Sequence, residues 1–182
     1  MPLARTGVDR ETKLEQIVVA AEQRLLAGGY DHMSVAAIAR ELGIAQNSIY
    51  WYFPSKDHLL VAVLEQTLAR LAAKKPPMNK GLLAQVLWAT DQMHDLSSLR
   101  SELRDRAAHS KVAADFATEL DALARRLLIH GIESYLDSAE LDLAATTFLA
   151  TVEGTFALGL RKPERHQTIA YALERVIGVL PD

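Results

Sequence analysis

At 182 residues with 49% apolar side chains, the chain can bury one core, or two small ones, without covalent staples. It has no cysteine, which excludes disulfides and thiolate metal sites. A net charge of −3 excludes only bulk polyanion binding: residues 1–75 hold nine Lys/Arg against eight Asp/Glu and the rest eleven against fifteen, so an anionic partner needs a local positive face.

Residues 1–5 carry no apolar run and are not expected to act as a secretory signal. Leu14, Ile17, Val18, Ala21 and Leu25 recur at helical spacing until Gly28-Gly29 ends the pattern. Ser34 is placed to cap a second helix whose apolar stripe is Val35, Ile38, Ala39 and Leu42. Gly43 breaks the chain, a short helix follows over about 45–53, and Pro54 ends it. Ser55 is the N-cap candidate for a longer helix that buries Leu59, Leu60, Val63, Leu64, Leu68 and Leu71. Lys74-Lys75-Pro76-Pro77 is the clearest boundary, because neither proline continues a helix. Beyond it the patterning predicts helices near 81–96, 98–109, 111–137, 140–159 and 164–179. Ser97 or Ser98, Ser110 and Ser138 are the cap candidates, and Pro163 suits a first helical turn. The stretch Leu141–Leu160 is apolar but interrupted by Asp142 and Glu153, so it is not expected to span a bilayer. With no alternating strand pattern and no internal repeat, the fold class is all-α, with about nine helices in a soluble chain.

Residues 34–53 have the parts of a helix-turn-helix. Ala39 is small where two helices must approach closely, Gly43 permits the positive φ of a tight turn, and Ile49 plugs the gap between them. Leu42 and Ile44 flank the turn and face inward. Stepping 100° per residue from Ile49 puts Phe53 and Ala45 within about 40° of it. Asn47, Ser48 and Trp51 fall on the opposite side, with Tyr50 at its edge. An apolar inner face and a hydrogen-bonding, aromatic outer face suit a helix lying in the major groove. Gln46 and Asn47, at the end that enters the groove, are the candidates for base readout. The same Ala39…Gly43…Ile49 spacing also fits a helical hairpin within a bundle.

The continuation Tyr50-Trp51-Tyr52-Phe53-Pro54-Ser55-Lys56-Asp57-His58-Leu59 resembles the signature of the tetracycline-repressor (TetR) family, over about Thr12 to Leu64. The resemblance implies that Ser34 caps its helix and touches a phosphate, that Tyr50 and Tyr52 give hydroxyls to the backbone, and that Lys56 pairs with another phosphate. Ala45, Gln46, Asn47, Ser48 and Trp51 complete the expected DNA face. Asn47 and Trp51 stand where many relatives carry glycine or histidine, so the operator sequence cannot be carried over. The resemblance implies a helix-turn-helix domain over 1–56 and a helical ligand-binding and dimerisation domain over 57–182, with 57–75 as connector. It further implies a cytoplasmic bacterial repressor, released from double-stranded operator DNA by an unidentified, mostly apolar small molecule, that does not act at a membrane or as an enzyme.

The C-terminal half shows no HExxH, no phosphate-cradling glycine loop and no Gly-x-Ser-x-Gly elbow. Asp91, His94 and Asp95, or Asp105 and His109, share a helical face, but such polar faces are commonplace and neither a metal nor a cofactor is expected. Trp88, Met93, His94, Phe116, Leu120, Leu127, His130, Tyr135 and Phe148 are candidates for lining a ligand pocket, with His94 and His130 as polar anchors. Each of them also fits plain core packing. Ala150, Gly154 and Ala157 form a small-residue stripe suited to close approach of a second copy's helix. Ile169, Leu173, Val176, Ile177 and Leu180 make one buried face of the last helix, with Leu173 and Ile177 assigned to the homodimer interface. The competing readings are a helical enzyme or metal-binding bundle, and an interaction module that uses the helix-turn-helix only as scaffold.

Overall fold

The computed structural model describes the backbone of residues 3–77 and 79–178, and their side chains except those of 3–9 and Asp95. Among the described residues there are nine α-helices and no strand. They are α1 (Leu3–His32), α2 (Val35–Glu41), α3 (Gln46–Tyr52), α4 (Lys56–Ala72), α5 (Leu82–Asp95), α6 (Ser97–Ala107), α7 (Lys111–Ile132), α8 (Leu141–Ala157) and α9 (Lys162–Ile177). No helix among the described residues is long and apolar enough to cross a membrane.

Most helix ends have a local cause. The Ser34 hydroxyl accepts from the backbone N–H of Ala37, and that of Ser55 from His58, each satisfying a donor with no partner inside its helix. Ser110 does the same for Ala113. Pro163 sits in the first turn of α9. Ser138 does not cap α8; Glu140 precedes that helix without a side-chain cap. The helix expected to reach residue 137 ends at Ile132, just after Gly131, and the chain turns over 133–136. Within α1 the helical geometry fails at Gly28 and Gly29, the latter at φ 73°.

The chain forms two compact units. The first comprises residues 1–73 and 98–117, so it holds α1 to α4, nearly all of α6 and the start of α7. Its core is Ile17, Ala21 and Leu25 of α1, Ile38 of α2, Ile49 of α3, and Leu59, Leu60, Val63 and Leu64 of α4, closed by Leu99 and Leu103 of α6. The sequence reading divides the chain once, near residue 56; in the structure the unit carrying the helix-turn-helix continues through α4 to Ala73 and takes in a second stretch. The other unit, residues 74–97 and 118–182, is built on the pairing of α8 with α9 and of α5 with α9. Ile132, Phe148, Val152, Ile169, Leu173 and Ile177 form its core.

Candidate functional site

The turn between α2 and α3 closes by two backbone bonds. The N–H of Ile44 donates to the carbonyl of Ala39 at 3.0 Å, and that of Gly43 to Arg40 at 3.3 Å. With Gly43 at φ 63°, this is the Schellman closure, which needs a left-handed residue at that one position. Ala39 is buried beside it. The closure brings α3 out of α2 at a fixed angle, and Ile49 and Phe53 anchor α3 to the core from its inner face.

The outer face of α3 is open. Gln46, Asn47 and Ser48 are exposed, Tyr50 is 41% exposed and Trp51 68%. Tyr52 is half-buried and presents its ring to the edge of Trp51, with centroids 4.9 Å apart and planes at 88°. Ala45, placed by the helical wheel near Ile49, is exposed instead, because it lies outside the regular helix as its N-cap. Amide and hydroxyl groups therefore stand exposed on an uncharged helix, uncovered by the described residues.

Behind this face lies a polar cluster that the sequence did not single out. The Tyr30 hydroxyl donates to Asp57 Oδ1 at 2.6 Å, and Arg106 of α6 grips the same carboxylate with Nε at 3.0 Å and Nη2 at 3.2 Å. Burial alone would raise the carboxyl of Asp57, but hydrogen bonds from Arg106, Tyr30 and Ser110 outweigh it and hold Asp57 below the usual range. Burial and the bond to Asp57 push the Tyr30 hydroxyl far up. Lys56 is half-buried with Nζ 4.0 Å from the centre of the Tyr30 ring, and burial lowers its pKa. The Arg106 guanidinium lies 4.6 Å from the same ring.

In the second unit, an open cleft of about 420 Å³ is lined by Trp88, Asp91, Gln92 and His94 of α5, by Leu160 and Arg161 of the α8–α9 turn, and by Lys162 and Arg165 of α9. Asp91 accepts from Lys162 at 2.7 Å, Arg165 at 3.0 Å and His166 at 2.9 Å. Burial works against its charge, yet these three partners hold its carboxyl far below the usual range. With its lone pairs so engaged, Asp91 has little capacity left for a metal; the side chain of Asp95 lies outside the described residues. Among the described residues no three His, Asp or Glu side chains gather as metal ligands would.

Of the expected pocket residues, the cleft gathers only Trp88 and His94. Met93, Phe116 and Leu120 are half-buried and do not line it. Leu127 is 64% exposed, Tyr135 is exposed, and His130 pairs with Glu133 at the surface. Phe148 is a core residue. The dimer assignment divides in the same way. Ala150 and Ala157 are exposed and Gly154 half-exposed, whereas Leu173 and Ile177 are buried in the core of their own unit. Leu180 lies outside the described residues.

Two short helices joined by a tight turn, the second with an exposed polar face, have the arrangement of the helix-turn-helix of DNA-binding regulators. The family model for bacterial regulatory proteins of the tetR family matches residues 17–63, which span the second half of α1 through the middle of α4. The fatty acid metabolism regulator protein of Bacillus subtilis is 23% identical over 179 residues, covering 88% of this chain and 90% of that protein. The transcriptional repressor KstR of Mycolicibacterium smegmatis is 43% identical over 47 residues, 26% of this chain and 23% of the repressor. A TetR-family transcriptional regulator from Rhodococcus sp. has the same fold, with a TM-score of 0.68 over 90% of this chain and 97% of that one at 17% identity. Over residues 17–63 the chain is thus similar to the bacterial regulatory proteins of the tetR family, and its fold is that of TetR-family regulators.

Proposed function

We propose that the chain is a cytoplasmic repressor that binds a roughly palindromic operator as a homodimer and leaves it when a small molecule binds. Two copies of α3 would occupy successive major grooves, about one helical turn apart. The observation that carries this reading is the outer face of α3: Gln46, Asn47, Ser48, Tyr50 and Trp51 all uncovered, on a helix fixed from within by Ile49 and Phe53. Gln46 and Asn47 can each bond adenine bidentately, whereas Tyr50, Tyr52 and Ser34 suit phosphates. Lys56 joins the phosphate contacts on release from the Tyr30 ring.

The stripe Ala150–Gly154–Ala157 on α8 supports the dimer. The cleft beside Trp88 supports the effector site, and its walls alter the expected ligand. With Asp91, Arg161, Lys162 and Arg165 lining it beside Trp88 and Leu160, it suits an apolar molecule with a charged end. Such a ligand can release DNA only if it binds the DNA-free arrangement of the two heads more tightly than the DNA-bound one.

The test is a fluorescence titration of the whole protein on the promoter beside its own gene, across a range of salt. Tyr50→Phe should weaken binding to every sequence by several-fold. Asn47→Ala and Gln46→Ala should instead narrow the gap between operator and unrelated DNA by about tenfold, the usual worth of one bidentate base contact. Operator affinity unchanged in all three variants would remove α3 from the interface.

A further inference from the structure

The outer face of α3 lacks a cation of its own, since Gln46–Tyr52 contains neither a basic nor an acidic residue. One is supplied from elsewhere in the same unit. Arg10, on the N-terminal part of α1, places its guanidinium 5.0 Å from the centre of the Trp51 ring. Trp51 is thus held on two sides, by the perpendicular Tyr52 ring and by Arg10 over its face, although 68% of it remains exposed. Among the described residues no carboxylate pairs with Arg10, which is itself exposed. Among the described residues its charge thus has no ion-pair partner beside the helix expected to enter the groove.

The geometry of this pair matters for what Arg10 can still do. A guanidinium attracted to an aromatic ring interacts through the ring's electron-rich face, and its N–H edge stays able to donate to a planar or tetrahedral oxyanion. Stacking also restricts a long side chain that would otherwise lose rotamer entropy on binding. Lys56, the cation at the start of α4, is half-buried over Tyr30. Arg10 by contrast already stands outside.

We propose that Arg10, carried by α1 and held on the indole of Trp51, is a DNA phosphate contact lying outside the helix-turn-helix. It anchors the backbone at the edge of the groove that α3 reads. Trp51 then has a second role besides any base contact, as the platform that aims Arg10. The proposal rests on α3 being the groove helix.

The test measures operator affinity against salt for the whole protein and for Arg10→Ala, Arg10→Lys and Asn47→Ala, with phosphate-ethylation interference on the same operator. Circular dichroism confirms that each variant is folded. Arg10→Ala is expected to lose about tenfold in affinity on all sequences, and to flatten the salt slope by about one for each protomer bound. One phosphate per half-site should become indifferent to ethylation in Arg10→Ala alone. Arg10→Lys should recover the slope and only part of the affinity, since an ammonium keeps the charge without the planar fork. Unchanged affinity, slope and ethylation pattern in Arg10→Ala, with Asn47→Ala still relaxing sequence preference, overturns the proposal and leaves the α3 reading intact. A loss confined to operators with one particular base also overturns it, because the contact is then to a base. If Asn47→Ala is equally inert, the underlying reading of α3 has failed with it.

Discussion

Asp57 shows how much one residue can be asked to hold. Its carboxylate receives the Tyr30 hydroxyl and both arms of the Arg106 fork, joining α1, α4 and α6 within a single unit. Replacing it with asparagine leaves the partly exposed Arg106 guanidinium without its counter-charge. Asp57→Asn should therefore cost about 1–3 kcal/mol in urea denaturation, and Tyr30→Phe about 1 kcal/mol. The pH dependence has a definite sign. The folded carboxyl is held below its unfolded value, so its contribution is complete above the ordinary aspartate range near pH ~4 and lost as pH falls through the lower folded value. The acid limb of the stability curve should be shallower in Asp57→Asn than in the parent chain; identical limbs would show that the cluster carries no linkage. The sequence did not disclose this hub, because Tyr30 and Arg106 lie 27 and 49 residues from Asp57 and no local spacing marks them. Lys56 illustrates the same limit: its place at the start of α4 was legible, its seat over Tyr30 was not.

Elements were far more legible, because turns and caps are written in neighbouring residues. Gly43, Ser34, Ser55 and Pro54 announce the helix-turn-helix by chemistry that acts within four positions. Both Gly29 and Gly43 have left-handed φ, but their surroundings differ. A Cβ on Gly43 meets nothing within 4 Å, so Gly43→Ala should cost only the backbone penalty of about 1–2 kcal/mol. Gly29 has ψ −171°, a combination essentially reserved for glycine, so Gly29→Ala carries a larger backbone penalty and also drives its Cβ into the carboxylate of Glu102. Thermal melts should rank Gly29→Ala below Gly43→Ala; the reverse order would mean that neither the backbone at Gly29 nor Glu102 resists a Cβ. Periodicity was weaker at choosing partners. It identified one buried face on α9 from Ile169, Leu173 and Ile177, but an apolar stripe does not reveal whether its own chain or a second copy covers it. Here its own chain covers it, against Phe148 and Val152.

At the scale of the whole molecule, what remains uncovered on α8 becomes informative. Leu143 is 73% exposed, and Ala150, Gly154 and Ala157 continue from it at intervals of three to seven residues, along one side of the helix. Small residues in that position let two helix backbones approach closely, and a two-fold axis would set the stripe against its own copy. Gly154 separates this reading from plain monomer packing, because a Cβ there touches nothing within 4 Å in the single chain. A larger side chain at Gly154 should thus leave the monomer fold intact, and the loss of a helix-interior glycine can even stabilise it by about 0.5–1 kcal/mol. Across a close two-fold contact the same side chain meets its own copy, and in Gly154→Arg two like charges meet as well. Sedimentation velocity at micromolar concentration should show Gly154→Arg as a monomer whose helical circular dichroism matches that of the parent. Its operator affinity should fall by about a hundredfold or more, because two linked heads gain from effective concentration and separate heads do not. A Gly154→Arg chain that still sediments as a dimer would place the interface on some other surface, and the loss of operator binding could then no longer be attributed to this stripe.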